Sequence, residues 1–139
     1  MKLQAFIVCD DIRQETGNKV SLMGVYAQDY IISDPKITWP FPARLGFYVQ
    51  LRLEANETAG KFEFHIMRNS ETRIKLDGMV RVTNPNKTFH IHFVLPHFAI
   101  MEPGTLDFMI RFVDGPAPID LKLGSLNFFQ GKAETISAS

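Results

Sequence analysis

The sequence predicts an all-β fold: a single antiparallel β-sandwich, immunoglobulin-like or C2-like, with seven to nine strands. Three observations predict it. Apolar residues recur with a period of two, turn-forming residues separate these runs at short intervals, and a helical period is almost absent. Alternate side chains of a strand point to opposite faces, so this alternation gives one buried and one solvated face. Short alternating runs between turns are typical of sandwiches and barrels.

The strand pattern is strongest at residues 45–54, where LGFYVQLRLE alternates along its length. The same period recurs in KFEFHIMR, TFHIHFVL and TLDFMIRFVDG, and residues 3–8 and 20–26 also have strand patterns. Phenylalanines are abundant at the apolar positions, which predicts an aromatic core. We expect four of them to be buried: Phe47, Phe64, Phe93 and Phe108.

Turns and domain bounds follow from the residues between these runs. Asp34-Pro35, Asn84-Pro85 and Pro103-Gly104 are typical turn pairs. Prolines deny donors to a strand ladder, so the proline-containing stretch 32–42 is predicted to cross between sheets. A length of 139 residues fits one domain. We place the domain at residues 1–130, followed by a flexible C-terminal tail at 131–139.

Charge and cysteine content exclude several classes of protein. The chain has 15 lysines and arginines and 15 aspartates and glutamates, without a run of like charges. Nucleic-acid binders usually carry a positive field, so neither nucleic acid nor an anionic membrane surface is an expected partner. The single cysteine, Cys9, permits no internal disulfide. No apolar stretch is long enough for a membrane span or a signal peptide, so we expect a cytoplasmic location.

The charged insert DDIRQE interrupts the first two strand patterns and allows two interpretations. A cation site would use its carboxylates together with acids from other loops, such as Asp29, Asp34, Asp114 or Asp120. A structural turn is the favoured interpretation: an aspartate caps one short helical turn and the arginine pairs with an acid. The predicted structural residues are Asp10, Asp11, Arg13 and Glu15.

The histidines offer the one metal-ligand spacing in the sequence. His90 and His92 lie two apart on a predicted strand and therefore share a face, and His97 or His65 would have to supply a third ligand. The favoured interpretation is that His90 and His92 lie on a solvated sheet face. No metal and no cofactor are expected, and we find no nucleophile elbow, phosphate loop or dinucleotide fingerprint. The chain is therefore more consistent with a non-enzyme.

Several apolar residues fall on the outward positions of the predicted strands. Such residues favour contact with another surface, although scattered surface hydrophobes are common. They are Tyr48, Met67, Met79, Val94, Met109 and Val113.

The N-terminal fifth of the chain resembles a family of small bacterial proteins of unknown function. The family pattern is a strand with Cys-Asp-Asp-Ile-Arg, a glutamate, a Gly-x-Lys turn and a Ser-Leu-x-Gly-Val-Tyr strand. Here these positions are residues 9–13, Glu15, Gly17, Lys19 and residues 21–26. The resemblance implies a bacterial or phage-related cytosolic protein. It carries no activity, substrate or catalytic residue.

The leading functional hypothesis is a non-enzymatic binding or assembly module. It would use a sheet face or an edge strand toward a protein partner or its own copy. One alternative is a metal-binding protein or metal-dependent enzyme that uses His90 and His92. A second alternative is a small-ligand or carbohydrate-binding sandwich, with Trp39, Tyr26, Tyr30 or Tyr48 as a stacking platform.

Overall fold

A computed structural model describes residues 1–33, 36–83 and 86–131 of the chain. Within these ranges the protein forms nine strands and no helix, which confirms the predicted all-β class and strand number. The strands are β1 Lys2–Glu15, β2 Lys19–Tyr26, β3 Asp29–Ile32, β4 Phe41–Arg52, β5 Gly60–Arg68, β6 Glu71–Val80, β7 Thr88–Ile100, β8 Gly104–Phe112 and β9 Ile119–Gln130. The predicted turns at residues 34–35 and 84–85 lie outside the described residues, as does the predicted tail beyond Gly131.

The described strands form two sheets that pack as a sandwich. Sheet A has the order β2-β1-β4-β7, and sheet B has the order β3-β9-β8-β5-β6. Six of the ladders in these sheets are antiparallel, and the short β3–β9 ladder is parallel. The parallel ladder was not predicted. Only Ala27 and Gln28 separate β2 of sheet A from β3 of sheet B, so the chain changes sheets between these two strands.

The core lies between the inward faces of the two sheets, as the alternation predicts. Phe47 on sheet A packs against Phe64 and Phe108 on sheet B, with ring centroids 5.1 Å apart in each pair. All three are buried. Phe93 is only half-buried, although it contacts the rings of Phe47 and Phe64. The expectation for Phe93 is corrected because its strand, β7, lies at the edge of sheet A.

The charged insert is not a turn. Asp10, Asp11, Arg13 and Glu15 all lie within β1, and the hairpin turn follows at residues 16–18. No helical turn forms there. The physical reason is that β4 pairs with β1 only as far as Cys9, whereas β2 pairs with β1 up to Glu15. Beyond Cys9 the strands form a two-stranded ribbon, and its charged side chains reach solvent without leaving the ladder.

Candidate functional site

The outer face of sheet A carries a contiguous group of uncharged side chains. In register, β1, β4 and β7 place Ile7 beside Tyr48 and His92, and Ala5 beside Gln50 and His90. These residues point outward because their neighbours Phe47, Val49 and Leu51 point into the core. We call this group the Tyr48 face, defined as Ala5, Ile7, Tyr48, Gln50, His90, His92 and Val94.

Aromatic stacking orders the centre of the Tyr48 face. The rings of Tyr48 and His90 lie 5.6 Å apart at an interplanar angle of 23°, and those of His90 and His92 lie 5.3 Å apart at 28°. Burial lowers the pKa of His92 below its ordinary value, and the positive charge that His90 can carry lowers it further. The Tyr48 face therefore presents rings, apolar side chains and one amide, and it has no aspartate, glutamate, lysine or arginine side chain.

One end of the Tyr48 face is closed by the β1–β2 ribbon. The space outside Gly46 is taken by the thiol of Cys9 and the side chain of Ile12. Burial raises the pKa of the Cys9 thiol, and the nearby Asp10 carboxylate adds to that effect. A buried thiol with a raised pKa is a poor nucleophile, so Cys9 acts as a packing residue. Along the free edge of the ribbon, Met23 and Val25 are exposed.

The insert residues make contacts that hold the ribbon. The Tyr26 hydroxyl donates to the Asp10 carboxylate, and a side chain at Gly24 would overlap that carboxylate. Arg44 donates to Asp11 at 2.8 Å, and this bond is the main reason that the pKa of Asp11 is lowered.

Three of the four insert residues therefore have structural partners in the ribbon or beside it. Glu15 accepts a hydrogen bond from Ser21 across the ribbon at 3.2 Å, which adds to the contacts of Asp10 and Asp11. Arg13 is exposed. These contacts are of the kind that a structural role requires, and the effect of the insert on stability stays a prediction.

The outer face of sheet B has the opposite character. Arg111 binds Asp120 through two hydrogen bonds of 2.7 and 3.0 Å. Glu63, which lies beside Arg111 in the ladder, accepts from His65 at 3.1 Å and pairs with Lys75 at 3.4 Å. We call this network the ion-pair face, defined as Glu63, His65, Lys75, Arg111 and Asp120. Met109 lies beside this network, between His65 and Lys122 in the ladders.

His65 shows how the ion-pair face satisfies its own polar groups. Although its ring points outward, only 8% of the residue is exposed. Its Nδ1 lies 3.0 Å from the Thr72 hydroxyl and its Nε2 3.1 Å from Glu63. The bond to His65 is the main reason that the pKa of Glu63 is lowered. With both ring nitrogens engaged, His65 is held by the sheet and faces no open site.

The histidines do not assemble a metal centre in the described part of the chain. His90 and His92 are adjacent as predicted, but His65 lies on the other sheet and His97 is exposed after a bulge in β7. Among the described residues, no group of three or more histidine, cysteine, aspartate or glutamate side chains could hold a metal ion. Within those residues, the pair lacks the third ligand that a zinc site requires.

Of the four aromatic residues suggested as a stacking platform, Tyr48 lies apart from the other three, which ring contacts connect through Phe41. The rings of Tyr26 and Tyr30 stack on each other at 4.9 Å, and Tyr30 also stacks on Phe128 at 5.1 Å. Burial raises the pKa of both tyrosines. Trp39 meets Phe41 edge-on, whereas Tyr48 belongs to the Tyr48 face. The six apolar residues predicted to point outward are divided between the two sheets. Tyr48 and Val94 lie on sheet A, and the other four lie on strands of sheet B or directly after one.

Comparison with known proteins gives a family and no activity. A model described as a family of unknown function (DUF6941) matches residues 4–123, so the chain belongs to that family. This confirms the resemblance to an uncharacterised family. No curated protein matches the chain. In the ranges that the structure describes, there is also no helix of the length and apolarity needed to cross a membrane.

Proposed function

We propose that this member of a family of unknown function is a non-enzymatic binding or assembly module. Its contact surface is the Tyr48 face, and the occupant is a protein partner or a second copy of the chain. The observation that carries the proposal is that none of the seven residues of this face is an aspartate, glutamate, lysine or arginine. A bacterial, cytoplasmic setting is part of the proposal, and the family resemblance supports it.

Removing water from the two faces has a different cost in free energy. A charged group loses several kcal/mol of hydration when it is covered, unless a partner charge replaces the water. The Tyr48 face has no carboxylate, ammonium or guanidinium group to dehydrate, and Gln50, Tyr48 and the imidazoles can still exchange hydrogen bonds with a partner. Tyrosine is also enriched at interface centres, where its ring is covered and its hydroxyl finds a partner.

The ion-pair face supports the proposal by contrast. Its carboxylates are already bound by arginine, histidine and lysine of the same sheet. Covering it would dehydrate several charges whose interactions are complete, so it gains little from a partner. Of these two groups of residues, the Tyr48 face is the one that loses least on association.

The experiment uses matched lysine substitutions on the two faces. Tyr48→Lys introduces a charge at the centre of the Tyr48 face, and Met109→Lys does so on the ion-pair face at a similarly half-buried position. Light scattering across a concentration series measures self-association. Affinity purification of the tagged chain from the cells that express it measures binding of another protein.

We expect Tyr48→Lys to weaken the association by about tenfold or more, because it buries an unpaired charge at the centre of the contact. Met109→Lys should leave association unchanged. If neither assay detects association, or if Met109→Lys disrupts it while Tyr48→Lys does not, the Tyr48 face is not the contact surface. Thermal melts of both variants show that each is folded.

A further inference from the structure

A second feature lies on the side of the sandwich where the two sheets end in β6 and β7. A cavity of about 370 Å³ opens there between the two edge strands. Its walls are apolar side chains from three strands: Ile74 of β6, Phe98 and Ile100 of β7, and Leu106 of β8. We call this cavity the β6–β7 pocket. Among the described strands, no ladder joins β6 to β7, so the pocket is not closed by backbone pairing.

The walls of the pocket are part of the core. Phe98, Ile100 and Leu106 are all buried and belong to the cluster that fills the sandwich. Water held against such a wall finds few hydrogen-bond partners, so an apolar group can displace it at little cost. A volume of a few hundred Å³ with apolar walls and a few polar groups is typical of a small-molecule site. The pocket can hold a small apolar group.

Two arginines, Arg68 and Arg73, and Glu102 also line the pocket, and we call this polar part its mouth. The two arginines differ in how firmly other groups hold their side chains. The guanidinium of Arg68 donates to the backbone oxygens of Glu102, at 3.0 Å, and Pro103. A side chain at Gly104 would overlap that guanidinium, so the turn between β7 and β8 closes tightly around it. Its side chain is only 13% exposed and serves to hold this turn.

Arg73 is the freer of the two arginines. It is 51% exposed, and the Glu71 carboxylate lies 3.6 Å away, beyond ordinary hydrogen-bond distance. Glu102, the acid at the mouth, lies 3.6 Å from Arg68. Arg73 can therefore turn its planar guanidinium group toward an anion without breaking a short hydrogen bond.

We propose that the β6–β7 pocket binds a small amphipathic carboxylate. The apolar part of the ligand lies against Phe98, Ile100 and Leu106, and its carboxylate accepts two hydrogen bonds from Arg73. A planar guanidinium matches a carboxylate with two parallel bonds, which favours this head group over an alcohol or an amine. Because Glu71 and Glu102 balance the two arginines, the mouth has no general attraction for anions. Binding therefore requires the apolar part as well as the carboxylate.

The test compares probes that differ in one part at a time. Decanoate carries both parts, decanol lacks the charge, decyltrimethylammonium reverses it and acetate lacks the apolar chain. Each probe is titrated into the full chain by calorimetry, below the concentration at which it forms micelles. We expect saturable binding of decanoate alone, or at least about tenfold tighter binding than any other probe.

Two variants locate the site and keep the core intact. Arg73→Gln should weaken decanoate binding about tenfold and leave the melting temperature unchanged. Ala99→Trp places a large ring at an exposed position on the pocket and should block binding. Ala117→Trp, on the exposed loop before β9, is the matched control and should bind decanoate as the original chain does.

Three outcomes would overturn the proposal. The first is that decanoate does not bind, and the second is that decanol binds as tightly as decanoate. The third is that the Ala99→Trp and Ala117→Trp variants bind decanoate equally. The result does not depend on the Tyr48 face, because the pocket lies between β6 and β7 and the probes are small molecules. Failure of one proposal leaves the other standing.

Discussion

The two outer faces of the sandwich rest on one core and differ in how their polar groups are satisfied. On the ion-pair face, each charged group has an opposite charge from its own sheet, as in the two-bond contact between Arg111 and Asp120. On the Tyr48 face the polar groups are a phenol, two imidazoles and an amide, and stacking orders the rings. The difference shows that a period of two identifies which residues point outward and leaves open what they meet there.

The same comparison explains why the faces should respond differently to change. Charges bound to each other on a solvated face contribute little to stability and are screened by salt. The half-buried rings of the Tyr48 face should be sensitive instead to a charge that is introduced among them. Four predictions follow this contrast from the core outward.

The largest effect is expected beneath both faces, at Phe47. Its ring lies under the Tyr48 face and contacts Phe64 and Phe108 under the ion-pair face. Phe47→Ala should lower the free energy of unfolding by about 3–5 kcal/mol, because it leaves a cavity in the shared core. Phe93→Ala should cost less, since the Phe93 ring is only half-buried. Urea unfolding measures both free energies. A larger loss for Phe93→Ala would show that the ring on the edge strand contributes more to stability than the central ring of Phe47.

A smaller effect is expected in the ribbon that borders the Tyr48 face. Gly24 and Gly17 both have positive φ angles, of 69° and 81°. Alanine at either position costs roughly 1 kcal/mol in backbone energy. Gly24→Ala should cost more than Gly17→Ala, because its side chain would also displace the Asp10 carboxylate from Tyr26, whereas the space at Gly17 is open. Equal melting temperatures for the two variants would show that the Asp10–Tyr26 contact has no structural role.

The pH dependence of stability should separate the two faces. His92 has a folded pKa below its ordinary value of 6.5, so the unfolded chain binds its proton first. Its contribution is present above about pH 6.5 and is lost as the pH falls through the folded pKa. Glu63 and Asp120 have folded pKa values below their ordinary 4.5 and 3.8, so their contributions are lost only in more acid solution.

Thermal melts of His92→Gln and Glu63→Gln across this pH range measure the separation. Relative to the original chain, His92→Gln should lose less stability between about pH 7 and 5.5, and Glu63→Gln should lose less below about pH 4.5. If His92→Gln and the original chain lose stability in parallel above pH 5.5, His92 is not held in its neutral form by the fold.

The smallest effect is expected from the ion pairs themselves. Arg111→Gln removes an exposed pair and should lower the melting temperature only slightly, by an amount that vanishes at about 0.5 M salt. Gln50→Ala on the Tyr48 face should show no such salt dependence. A salt-independent loss for Arg111→Gln would mean that its aliphatic stem, and not its charge, stabilises the sheet.

Much of the fold could be predicted from the sequence because alternation is a local signal. The runs around Phe47, Phe64 and Phe108 identified their strands and their buried faces correctly. The ribbon was missed because charged residues in DDIRQE look like a loop when the partner strand is unknown. A two-stranded extension beyond β4 is a property of the sheet and has no signature within those six residues.

The candidate surface was less predictable for the same reason. Tyr48 and Met109 both fall on outward positions, but only strand order shows that they lie on opposite faces. Likewise, Arg68 of β5 and Phe98 of β7 are far apart in sequence and line one pocket, because the edge strands β6 and β7 lie on the same side of the sandwich. Residue type signalled an apolar exterior, and the topology divided those residues between the two sheets.

Site-specific cross-linking in the cells that express the protein tests the central claim most directly. A photoreactive phenylalanine replaces Tyr48 in one variant and Met109 in the other, and the adducts are compared after illumination. The account predicts a discrete adduct from position 48, with the mass of a second copy or of one partner protein, and none from position 109. A discrete adduct from position 109 alone would contradict the assignment of the Tyr48 face as the contact surface.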